Sequence, residues 1–468
     1  MSIICVLGAS IASGKVLVRW NHSTIPPARA LGLNDLVVSL NGNAAQLLGS
    51  APKLGYRIFY EAGLAQAPAA AEAAVRLGLA GVVIDVQESE RGNAAQVLQN
   101  LRASYPNLIL LALISGGIEP QIRGRRHHQN DGGVQVTSPT HQPWIDSNLA
   151  SIRIGRAFAP AQAPLYSFKW DLSDLLRMKQ GPSAADYSLA VAEAGAFHAD
   201  VILDLPGSLQ GALAQNNANA WSKWKRVKRY LEFWPQAKQG SLESLASVGI
   251  VMDNPDENYE AVNLIARHNI PFRIIRSADL TAHSLDTFDL AVFFAPPQKE
   301  QIGIIDDFAS QGGTAILVGM HGSFPWQSTP GVRSGEHSAT YAVGKGSVIE
   351  LSGPVTDPEI FARDVRRSMD QQRMLMTLWN SLTTVAALYL DPQAGETILE
   401  LVNYYKEPVG IQVQVKGTFS SIRYETPEEG CCKSLTPVQH DGFTEFEVPQ
   451  LVIGGRVHLR PVPGGAPR

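Results

Sequence analysis

Through the first 235 residues, short apolar and β-branched runs alternate with helix-periodic segments, and this alternation restricts the chain's folding options more than any other feature. A strand buried on both faces reads as a continuous apolar run. A helix that follows each strand brings the chain back to start the next one in parallel, so the pattern specifies βαβ units. Eight runs fit: Lys15–Trp20, Asp35–Leu40, Tyr56–Tyr60, Gly81–Val86, Leu108–Ile114, Ser151–Gly155, Leu165–Trp170 and Val201–Leu205. Helical spacing lies between them at Ala67–Leu77, Ala94–Ser104, Asp186–Ala196 and Trp221–Phe233, with Glu72 and Arg76 one turn apart in the first. Eight strands in a segment of this size predict a (β/α)₈ barrel over residues 1–236.

At 468 residues the chain exceeds what a single hydrophobic core supports, so further domains are expected. Past a polar junction near Gln236–Ser244, strands at Val248–Met252, Phe272–Ile275, Leu290–Phe294 and Thr314–Val318 alternate with helices at Asn258–His268 and Lys299–Gln311. This predicts a flavodoxin-like or amidotransferase-like α/β domain over 245–355. The turn Asp253-Asn254-Pro255 lacks the glycines of a phosphate loop, and Ala295-Pro296-Pro297 stands where a nucleophile elbow would be. The second domain therefore reads as structural or oligomer-forming, and a homo-oligomer is expected. A hairpin at Thr340–Val343 and Gly346–Leu351 follows, with helices and a strand-like tail over Asp357–Ala387. Short strands at Glu396–Tyr404, Gly410–Val415, Ser420–Tyr424 and Phe443–Val448 then predict a small C-terminal β-sandwich over 395–462.

Apolar residues make up 45% and charged residues 18% of the chain, the balance of a soluble globular protein, and no run suffices to span a membrane. A net charge of -4 offers no broad basic field, so no nucleic-acid partner is expected; the cluster Lys223 to Arg229 reads as a solvated helix face. The three cysteines, Cys5, Cys431 and Cys432, fit no zinc spacing, and adjacent cysteines rarely bridge, so neither a disulfide framework nor a cofactor is expected. The apolar opening Ile3 to Ala12 ends in small residues like the end of a secretory signal. That favours export over a cytoplasmic location, although no Lys or Arg precedes the run; a buried strand or frayed terminus is the alternative.

The stretch from Leu79 to Asp85, which ends a strand on an acidic residue, and the helix from Asp186 leading to Asp200 are similar to segments of glycosidase-type barrels. Together with the order barrel, amidotransferase-like layer and small β-sandwich, they resemble the family 42 glycoside hydrolases across most of the chain. The resemblance implies a hydrolase acting on a glycan at the barrel mouth. Family 42 enzymes carry an Asn-Glu pair at strand four and a Glu nucleophile at strand seven. Here the corresponding runs end in Asp85-Val86-Gln87-Glu88 and Lys169-Trp170-Asp171, which leaves open a barrel that binds carbohydrate without cleaving it.

Cleavage of a glycosidic bond generally requires two flanking carboxyl groups, and in barrels these stand at the C-terminal strand ends. Asp85 is the first candidate, with Glu61, Glu88, Asp171 and Asp204 as the second; for each, a backbone-capping role is the alternative. Trp20 and Trp170 could provide an aromatic platform beside Arg19, Asn21, His22 and Asn41, matching the apolar face and polar edge of a sugar, although tryptophans at strand ends also serve as core. The long irregular stretch Gly116–Ser147 carries Arg125, Arg126, His127, His128, Asp131 and His141. Adjacent histidines on such a loop define no metal geometry, so no metal site is expected.

Overall fold

Seven of the expected runs are parallel strands, and their side chains alternate cleanly between the inside and the outside of a barrel. The computed structural model describes residues 14–39, 44–115, 147–160, 163–168, 183–234, 242–320, 322–328, 330–333, 337–380 and 382–462. The strands are β1 (Val16–Arg19), β2 (Asp35–Ser39), β3 (Arg57–Gly63), β4 (Gly81–Gln87), β5 (Ile109–Ser115), β6 (Leu165–Phe168) and β7 (Asp200–Asp204). They pair in the order β5-β4-β3-β2-β1-β7-β6, all parallel, and the two end strands, β5 and β6, come against each other.

One buried cluster takes a side chain from every strand: Leu17, Val37, Phe59, Val83, Leu111 and Leu113, Leu165 and Ile202. A single core fed by all seven strands requires the sheet to curl around it. Each of these side chains gains roughly 1.5–3 kcal/mol on leaving water. The alternate positions of β4 and β5, Val82, Ile84, Val86, Leu110 and Ala112, lie outside in another cluster. They pack there against Ala67, Ala70, Ala71 and Ala74 of one helix and Ala94, Leu98 and Leu101 of the next. The period of two along each strand thus separates barrel interior from helix-facing exterior.

The helices around these strands are α1 (Ala28–Leu31), α2 (Ala44–Ser50), α3 (Ala67–Arg76), α4 (Arg91–Ser104), α6 (Ala184–Phe197), α7 (Gly207–Ala214) and α8 (Ala218–Phe233). Helix α6 starts in a capping box, where the Ser183 hydroxyl accepts from the Asp186 amide at 3.3 Å and the Asp186 carboxylate accepts from the Ser183 amide at 2.7 Å.

The sixth expected strand, Ser151–Gly155, is instead part of helix α5 (Leu149–Phe158). Its Ser-Ile-Arg-Ile-Gly alternation imitates a strand, but Leu149, Ala150, Ile152 and Ile154 are all buried along one helix stripe. The chain forms two compact units, and α5 belongs to the second.

In that second unit, strands β9 (Val248–Met252), β10 (Phe272–Arg276), β11 (Leu290–Phe293) and β12 (Thr314–Val318) form a parallel sheet flanked by α9 (Pro255–Arg267) and α10 (Lys299–Ser310). Helix α5 packs on α9 and β10. The expected hairpin, β14 (Ser338–Val343) and β15 (Gly346–Leu351), extends this sheet by a parallel pairing of β15 with β12. The short β13 (Val332–Arg333) forms the sheet's far edge beside β14. After α11 (Pro358–Arg367) comes a sandwich of a four-stranded and a six-stranded sheet with one shared core.

The sandwich takes in more chain than 395–462. The strands β16 (Met376–Trp379), β17 (Thr384–Asp391) and β8 (Glu243–Ser244) join β18 (Glu396–Asn403), β19 (Val409–Lys416) and β20 (Phe419–Thr426). Strands β21 (Gly430–Leu435), β22 (Val438–His440), β23 (Phe443–Leu451) and β24 (Gly454–Pro461) complete it. Cys431 and Cys432 at the start of β21 are joined to each other, a bond between neighbours that links no distant segments. No described helix is long and apolar enough to cross a membrane.

Gly81 opens β4 where a Cβ would lie 2.1 Å from the Ile109 carbonyl oxygen and 2.8 Å from the Phe59 ring. Because the nearer obstacle is backbone, Gly81→Ala is expected to lose about 1–3 kcal/mol of stability, seen as a lower urea midpoint with an unchanged slope.

Candidate active site

Two residues beyond the apolar layer of the barrel interior, the same inward positions become polar: Arg19 follows Leu17, Ser39 follows Val37, Glu61 follows Phe59, Asp85 follows Val83, Ser167 follows Leu165 and Asp204 follows Ile202. These positions stand at the C-terminal strand ends, above the apolar plug, and Leu113 on β5 is the one apolar member of the row.

Arg19 ties this layer together. Its Nε donates to Glu61 Oε2 at 2.9 Å and its Nη2 to Glu61 Oε1 at 2.6 Å, a two-point grip. Its Nη1 lies 3.2 Å from Asp204 Oδ2 and donates to Ser167 Oγ at 3.4 Å. Ser39, directly across from Glu61 in the β2–β3 register, donates its hydroxyl to Glu61 Oε2 at 3.1 Å. Burial opposes the charge on Arg19. The Glu61 hydrogen bond and the charges of Glu61 and Asp204 outweigh it, so the guanidinium pKa is raised above its ordinary value.

The carboxylates differ in what they leave available. Both Glu61 oxygens accept hydrogen bonds, and its side chain is only 15% exposed; it holds Arg19 in place. Asp204 is 35% exposed at its side chain, and its Oδ2 lies 3.2 Å from Arg19 Nη1. Asp85 is half-buried and, by strand alternation with the outward Ile84 and Val86, points inward. Arg19, Glu61 and Asp204 are therefore brought into direct contact, with Asp85 in the same layer. Glu88 opens the single 3₁₀ turn after β4.

Trp20, proposed as a sugar platform, is fully buried on the outward side of β1, and its indole N–H donates to the Thr24 carbonyl at 3.0 Å. A ring with no exposed face offers no stacking surface, so Trp20 is core. The His22 ring closes a local turn with Thr24, and Asn21 is exposed beside it. Asn41, Trp170 and Asp171 lie outside the described residues, as do Arg125, Arg126, His127, His128, Asp131 and His141.

The sequence reading missed Ser39, Ser167 and Gln210. The buried Gln210 on α7 accepts from the Asn21 and His22 amides at 2.8 and 3.1 Å. It donates to the Leu205 carbonyl at 2.7 Å, tying the β1 loop to the β7 loop. The two serines were findable by stepping two residues from each apolar interior position; Gln210 carried no such signal.

No family model matches the chain, and no curated protein matches it. Among solved structures, α-L-fucosidase isoenzyme 2 from Paenibacillus thiaminolyticus aligns with a TM-score of 0.61 at 11% identity, over 96% of this chain and 100% of that one. The likeness is one of fold. A β-galactosidase from Bacillus circulans sp. alkalophilus aligns at a TM-score of 0.49 and 9% identity, over 96% of this chain and 99% of that one. A rhamnosidase from Novosphingobium sp. PP1Y gives 0.47 at 10% identity, over 90% of this chain and 40% of that one.

The Arg19 grip generates a stability prediction. Arg19→Met would strand two carboxylates, one of them nearly buried, and is expected to cost about 2–3 kcal/mol. The double variant Arg19→Met/Glu61→Leu should recover part of that loss, and urea titrations of the wild type, each single variant and the double variant measure the coupling.

Proposed function

We propose that this protein is a glycoside hydrolase whose glycan binds at the C-terminal mouth of the barrel, with Asp85 and Asp204 as the working carboxylates. The observation that carries this reading is the polar layer itself. One guanidinium meets Asp204, whose side chain keeps 35% of its surface exposed, while an inward Asp85 stands in the same layer.

Hydrolysis through an oxocarbenium-like transition state needs a group to protonate the leaving oxygen and a carboxylate to act on the opposite face. Asp204, oriented by Arg19, suits the nucleophile or base, because a fixed, partly exposed carboxylate can approach the anomeric carbon or activate a water. Asp85, inward in the same layer, is assigned the proton donor. Glu61 positions Arg19 and has no free oxygen for either task. This sets Glu61 apart from the other candidates Glu88, Asp171 and Asp204.

The fold likeness to an α-L-fucosidase makes aryl α-L-fucosides the first substrates to assay, within a panel of other aryl glycosides. Asp204→Asn and Asp85→Asn are each expected to lower kcat by on the order of 10²–10⁴-fold while remaining folded, with some loss of thermal stability in Asp204→Asn because it removes a charge partner of Arg19. Full activity in both variants would remove the assignment. Glycan binding by the wild type without turnover of any substrate would favour the alternative of a carbohydrate-binding barrel that has lost hydrolysis.

A further inference from the structure

Away from the mouth, on the outside of the barrel, α8 presents an array of cations that the proposed hydrolysis does not use. Its inner face is fixed: Ala220, Trp224, Val227 and Tyr230 are buried, Asn217 caps its first turn, and the Trp224 indole N–H donates to the Leu31 carbonyl at 2.9 Å. Its outer face carries Lys223, Lys225, Arg226 and Arg229, all exposed. None of these four has a hydrogen-bond or ion-pair partner among the described residues.

Lys228 reaches over to donate to the Arg29 carbonyl at 2.8 Å, which brings α1 and its exposed, unpaired Arg29 alongside. Two carboxylates are near. Glu232 lies 3.6 Å from Lys228, and Glu428 accepts the Tyr230 hydroxyl. The array therefore keeps a clear excess of positive charge on a chain whose net charge is -4.

Lys225 and Arg229 are four residues apart, and Arg226 and Arg229 three apart, spacings at which like charges on a helix repel. A groove of about 720 Å³ runs beside them, lined by Trp221, Lys225, Lys228 and Arg229. The Trp221 ring is held in orientation by its N–H, which donates to the Leu213 carbonyl at 3.2 Å, and it stays partly exposed. An unpaired cation row beside a fixed aromatic edge matches a polymer of rings that each carry an anion.

We infer that the outer face of α8 binds an acidic polysaccharide, with Lys225 and Arg229 meeting its carboxylates and Trp221 its ring faces. The choice of a glycan over another polyanion rests on the glycosidase reading of the barrel. The surface would hold a polymer at a distance from the mouth.

The test uses the full chain and fluorescently labelled polygalacturonate, with neutral dextran and duplex DNA of equal total charge as comparisons. The wild type is expected to bind polygalacturonate at low salt, to release it as salt rises, and to ignore dextran. Lys225→Gln/Arg229→Gln should weaken binding about tenfold or more while leaving thermal unfolding and any aryl-glycoside turnover unchanged. Trp221→Ala should weaken binding at low salt and lower the salt concentration at which the polymer is released. Absence of binding at low salt, or binding that the double variant leaves intact, overturns the inference. Tighter binding to DNA than to polygalacturonate overturns the glycan as occupant. Asp204→Asn should bind polygalacturonate like the wild type. An inactive mouth therefore leaves the reading of α8 intact, and failure at α8 leaves the mouth assignment intact.

Discussion

The grip of Arg19 on Glu61 and Asp204 organises the upper half of the barrel. A guanidinium only 12% exposed is tolerable inside a ring of strands because its donors are met by Glu61, Asp204 and Ser167. The contacts reach from β1 to β3 on one side and to β7 and β6 on the other, so a single side chain fixes strand ends from four strands relative to each other. Its raised pKa states the same fact energetically: the surrounding carboxylates stabilise the charge by more than burial penalises it.

Below this layer the barrel interior is apolar. Leu17, Val37, Phe59, Val83, Leu111, Leu165 and Ile202 fill the centre, so the interior is a plug and not a channel. A polar layer resting on an apolar plug concentrates chemistry at one end, where the strand ends and the βα loops meet. The site thus combines rigid strand positions for Arg19, Glu61, Asp85 and Asp204 with a loop link through Gln210, which joins the β1 and β7 loops. A carboxylate with both oxygens accepting hydrogen bonds, Glu61, and a more exposed one, Asp204, meet the same guanidinium.

Much of the architecture was legible in the chain. Seven barrel strands and the four parallel strands after residue 245 fall where apolar runs are bounded by polar turns, because strands buried on both faces need continuous apolar sequence. Asp85, Glu61, Asp204 and Arg19 were legible as strand-end residues because inward and outward positions alternate with a period of two. The stretch Ser151–Gly155 misled for the same reason. An amphipathic helix with isoleucines two apart also alternates over five residues, and only packing on α9 and β10 distinguishes it from a strand.

The sequence by itself determined the βαβ order, the apolar interior and the set of carboxylates at the strand ends, since these follow from local periodicity. Tertiary structure decided which carboxylates meet which cation, that Trp20 is core and Gln210 a tie, and that residues 376–391 join the sandwich. Those outcomes depend on side chains brought together from strands tens to hundreds of residues apart, such as Arg19 and Asp204 paired across β1 and β7. No local pattern encodes the angle at which such strands close.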